Sequence, residues 1–131
     1  MADHPTTRRR IYLAAAADAV AIVVFVALGR QTHDEGGNAV LGALEVAAPF
    51  LIAAAFGWVV ARAWRAPADP VTGTIIWVCT LVLGMLLRRF VFDRGTATPF
   101  VIVASVATMA LLIGWRLVAQ QVAQRRVSTG M

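Results

Sequence analysis

Lysine is absent, and all 12 basic residues among the 131 are arginine. One cysteine is present, Cys79, which excludes a disulfide, a CxxC pair or a thiolate metal site within one chain. The two histidines, His4 and His33, lie outside the long apolar runs, so a bis-histidine haem between helices has no ligands. No phosphate-binding loop, nucleophile elbow or HExxH occurs, and the sequence therefore calls for no cofactor, no metal and no soluble-enzyme chemistry. Polar helix faces are lacking too. The stretches VAIVVFVALG (Val20–Gly29) and IIWVCTLVLGMLL (Ile75–Leu87) carry no 3.6-residue alternation, which a soluble bundle needs in order to meet water.

What fills the chain instead is hydrocarbon. Hydrophobic residues make up 60 % and the mean hydropathy is +0.74. Four apolar runs dominate: Ile11–Leu28, Val40–Ala61, Val71–Leu87 and Phe100–Leu117. At a rise of about 1.5 Å per residue, roughly 20 helical residues cross a hydrocarbon core of about 30 Å. The sequence predicts an all-α integral membrane bundle of four transmembrane helices. It forms a single domain over residues 1–131, with spans at about 11–29, 40–61, 71–90 and 99–118.

Orientation follows from arginine. Arg8, Arg9, Arg10, Arg62, Arg65, Arg116, Arg125 and Arg126 fall on one side; Arg30, Arg88, Arg89 and Arg94 fall on the other. The richer side is expected to be cytoplasmic, which puts both termini inside the cell. Arg8-Arg9-Arg10 before an apolar run has a twin-arginine look, but the run reaches spanning length and contains Asp18, so it reads as a retained first span. The net charge of +5 then reflects topology and contact with anionic lipid, not a nucleic-acid partner. Short connections complete the bundle: Gly36-Gly37-Asn38 in one outer loop, Ala66-Pro67-Ala68-Asp69-Pro70 inside, where it is expected to stop the second helix, and Pro99 opening the fourth.

Ionisable groups inside the spans each cost roughly 2.5–3.5 kcal/mol on insertion scales, so each needs a reason. Asp18 lies seven residues past Ile11, about 10 Å below the inner boundary, too deep for its short side chain to reach water. Ala14 and Ala21 give it a small-residue face for packing, and its expected partner is Arg116, on the helix that carries Ser105 and Thr108. A second set lies toward the outer side: Glu45, Arg88, Arg89 and Arg30. The stripes Glu45-Pro49-Ala53-Gly57-Ala61 and Thr80-Gly84-Arg88 predict that Glu45 and Arg88 meet where helices two and three touch, with Arg89 turned to headgroups. An anion pocket of Arg30, Arg88 and Arg89 is the functional alternative to a satisfied ion pair. Trp58, Trp64 and Trp115 fall near the inner boundary, where an aromatic belt is expected, and Trp77 lies deeper, toward lipid; core or belt is favoured over a ligand cage for all four.

Asp18, then Gly29-Arg30-xx-His33, then Pro49-Phe50 together resemble a bacterial family of four-span membrane proteins catalogued as domain of unknown function 3054. The resemblance covers nearly the whole chain. It implies the four-helix fold and an inner-membrane location, brings no activity, and singles out Asp18, Arg30, His33 and Pro49. A looser likeness, four short helices with one acid in the first, links the chain to the small multidrug-resistance exporters. That likeness implies an Asp18 that exchanges protons for a cationic substrate in a dimer. The residues around Asp18 differ, and the arginine bias opposes insertion in both orientations.

Two functions follow, ahead of a third in which Glu45, His33 and the outer arginines act on a lipid headgroup, a role that no spacing among them demands. One is a small proton- or ion-coupled transporter working as a homodimer, with the small-residue stripes of helices two and three as its interface and Asp18, Arg116, Glu45, Arg88, Arg30 and His33 as candidate substrate or proton groups. The other is a non-catalytic scaffold or small subunit that binds another membrane protein through its basic tail and the polar loop Arg30–Asn38. Transport requires an Asp18 that changes protonation; a scaffold is served by a fixed one.

Overall fold

The computed structural model describes residues 5–33, 39–91 and 98–130. They form four α-helices: α1 (Pro5–His33), α2 (Ala39–Ala61), α3 (Pro70–Phe90) and α4 (Thr98–Thr129), with no strand among the described residues. Each is long and apolar enough to cross a membrane. With 29 and 32 residues, α1 and α4 measure about 43 and 48 Å and outrun a hydrocarbon core of about 30 Å. Helix α1, from Pro5 to His33, extends past its apolar run at both ends, and α4 continues beyond its run through a segment exposed from Gln120 to Thr129.

Each helix packs on its neighbours in the chain, and α4 closes the ring against α1. The α2–α3 contact is the most extensive. It rests on the small-residue stripes. Pro49, Ala53 and Gly57 of α2 are buried, as are Thr80 and Gly84 of α3. A Cβ on Gly57 would stand 3.1 Å from the Cα of Ile76, and one on Gly84 only 2.6 Å from Cδ1 of buried Phe50. Glycine at these two points is what lets the α2 and α3 backbones and the Phe50 ring come together. The stripes expected to form a dimer interface are therefore consumed inside one chain.

The core holds Ile22, Phe50, Ile76 and Leu112 among small residues, and also Asp18, Thr80, Thr108 and Arg116. Leu28, Phe56, Val82 and Ile102 point outward. Large apolar side chains outside and small or polar ones inside is the distribution that lipid solvation demands, because hydrocarbon gives no drive to bury leucine.

The turn between α2 and α3 differs from the expectation that its prolines stop the second helix. Helix α2 ends at Ala61, well before Pro67, in a left-handed closure at Arg62, whose φ is 50°. The Ala63 amide donates to the Trp58 carbonyl at 3.0 Å and the Arg62 amide to the Val59 carbonyl at 3.2 Å, which is the Schellman pattern. The prolines act on the next helix. Pro70 opens α3, and the Asp69 carboxylate caps it by accepting from the Val71 amide at 2.8 Å.

Candidate functional site: a carboxylate held by four N–H donors

Asp18 lies on α1 beside buried Ala14 and retains only 2 % of its surface. Its partner, Arg116 of α4, is fully buried. The two meet fork to fork: Nη1 donates to Oδ1 at 2.8 Å and Nη2 to Oδ2 at 2.7 Å. Two indoles complete the shell. Trp115 Nε1 donates to Oδ1 at 2.9 Å and Trp58 Nε1, from the last turn of α2, to Oδ2 at 2.8 Å. Each carboxylate oxygen thus accepts two hydrogen bonds, all from N–H groups that have no lone pair to offer in return.

Four of the five guanidinium N–H groups are occupied in turn. Nε donates to the Pro67 carbonyl at 2.9 Å, and Nη1 also reaches the Leu112 carbonyl at 2.8 Å. Its plane lies over the Trp115 ring, 4.4 Å from the centroid. Helix α3 contributes an absence: a Cβ on Gly73 would stand 2.6 Å from Cδ of Arg116. That contact is with the middle of a side chain pinned at its far end, so glycine is required for the arginine to pass. Four helices and the α2–α3 turn therefore converge on one ion pair.

Of the other candidates, Glu45 stands exposed on α2 and Arg88 half-buried on α3, toward the opposite end of the bundle from the clasp. Arg89 is exposed. Arg30 and His33 belong to the last turns of α1, and their side chains lie outside the described ones. Among the described residues, no three His, Cys, Asp or Glu side chains come together as a metal site would require. The tryptophans correct the belt reading. Trp58 and Trp115 are ligands of Asp18, and Trp77 does not simply face lipid: it is half-buried and its Nε1 donates to the Ser105 carbonyl of α4 at 3.0 Å. Trp64 alone of the expected belt is exposed.

A cleft of about 280 Å³ opens between α1 and α2 beside the clasp, lined by Ala15, Asp18, Ala19, Leu51, Ala54 and Trp58. Asp18, Trp58, Trp115 and Arg116 all lie within residues 15–119, the segment that matches the family described as protein of unknown function (DUF3054). The chain belongs to the DUF3054 family. Neither a curated protein nor a solved structure matches it. The match spans all four helices of this DUF3054 protein, a multi-pass membrane protein whose four apolar helices lie in contact with lipid.

Proposed function

We propose that this DUF3054 chain is a non-catalytic membrane scaffold or small subunit, held in one shape by the Asp18–Arg116 clasp and oriented with both termini in the cytoplasm. The observation that carries the reading is the saturation of Asp18. A protonated carboxyl must donate one hydrogen bond, yet all four groups around it are donors. Protonation would break at least one contact and leave the Arg116 charge buried without a counterion. In this reading Glu45 and Arg88 form a second tie between α2 and α3, and Arg30 and His33 belong to the outer surface offered to a partner in the same membrane.

The 280 Å³ cleft favours a second reading, in which Asp18 is reached from between α1 and α2 and exchanges a proton or small cation. The two are separated by proton and small-cation flux into liposomes carrying the protein, wild type against Asp18→Asn. The scaffold reading expects no flux above that of empty liposomes from either. A wild-type flux that the variant loses would replace it with the transport reading.

A further inference from the structure

A larger cleft, about 640 Å³, lies at the end of the bundle where α1 and α4 outrun their apolar runs. Its walls come from three segments: Arg10 and Leu13 of α1, Arg65 and Pro67 of the α2–α3 turn, and Trp115 and Gln120 of α4. Two features define what it accepts. The lining is mostly apolar below, where Leu13, Ala14 and the Trp115 ring sit within or next to the first and fourth apolar runs. Arg10 and Arg65 stand at its exposed edge, and among the described residues neither guanidinium is held in an ion pair. Asp69 is also on the wall, but one of its oxygens is turned to the Val71 amide, and the two arginines outweigh it.

We infer that this cleft seats an anionic phospholipid, with its phosphate taken by Arg10 and Arg65 and its glycerol and upper acyl chain against Leu13, Ala14 and Pro67. Apolar walls topped by two guanidiniums at the end of the spans match a lipid that is hydrocarbon below and anionic above. A free phosphate would leave the apolar walls uncovered. A choline headgroup would bring its own cation against the arginines. Arg65 and Pro67 belong to the turn whose Pro67 carbonyl holds Arg116, so the lipid would rest on the same piece of backbone as the clasp. The inference stands on the cleft and its charges and does not depend on the scaffold reading.

Native mass spectrometry of the full chain in detergent tests it, with phosphatidylglycerol, phosphatidylcholine and inorganic phosphate as separate probes. Phosphatidylglycerol is expected to be retained over phosphatidylcholine and not displaced by millimolar phosphate. The double variant Arg10→Gln/Arg65→Gln is expected to weaken it about 30-fold, while Arg125→Gln/Arg126→Gln leaves it nearly unchanged. Both cleft arginines are exposed, and the wild-type preference is read without any variant. Equal retention of phosphatidylcholine, or displacement by phosphate, would overturn the inference. So would an equal loss in the two double variants, or no loss at Arg10 and Arg65.

Discussion

At the scale of the residue, the clasp is a problem of donors and acceptors solved in hydrocarbon. A carboxylate has about four acceptor sites, and Asp18 fills them with two guanidinium and two indole N–H groups. The pairing with Arg116 was legible in the sequence: an acid too short to reach water and an arginine near the same end of another helix have few alternatives. The indoles were not. Trp58 and Trp115 sit on helices that are apolar on every side, so no periodicity says which face turns inward, and a belt at the boundary was the natural reading. The Pro67 carbonyl was equally hidden, because a turn's backbone carries no side-chain signal. Trp58→Phe keeps a six-membered aromatic ring but loses the pyrrole part of the indole and with it one charged hydrogen bond, and is expected to lower stability by about 1.5–3 kcal/mol. Trp64→Phe, at an exposed position, should change it by no more than about 0.5 kcal/mol. Reversible unfolding in mixed micelles measures both; equal effects would show that Trp58 acts only as bulk.

At the scale of the element, α2 and α3 keep close to their apolar runs, α1 and α4 continue past theirs, and hairpin closure was not legible. The end of α2 at Ala61 agrees with the end of its apolar run, but its cause is the left-handed Arg62, not the prolines downstream. Nothing in the sequence marks Arg62 for this role, since glycine is the residue that signals it. A side chain in that conformation costs about 1 kcal/mol relative to glycine. Arg62→Gly is therefore expected to raise stability by about 1 kcal/mol in the same unfolding assay. A loss instead would mean that the arginine side chain contributes more than its backbone strain removes.

At the scale of the whole molecule, the four-helix architecture was the most legible part, because length and unbroken hydropathy leave no other solvent. The order of helices around the bundle was not legible, as four apolar rods pack in several cyclic orders. The stripes of small residues on α2 and α3 promised close approach, and Gly57 and Gly84 deliver it within one chain. Arginine sets the orientation expected here. A reporter fused after Met131 should be cytoplasmic and one inserted at Gly36 external; the reverse pattern, or a mixture, would overturn the both-termini-inside assignment. The proposed lipid cleft belongs to the same end, where Arg10, Arg65 and the extension of α4 gather the chain's positive charge.

Whether Asp18 and Arg116 act as one fixed unit is tested most directly by a double-mutant cycle in lipid. Asp18→Asn and Arg116→Gln are each expected to lose about 3–5 kcal/mol, because each strands a buried polar or charged partner. The double variant should lose little more than the worse single one, a coupling of about 3 kcal/mol. Losses that simply add would contradict the clasp and return Asp18 to independent duty in the membrane.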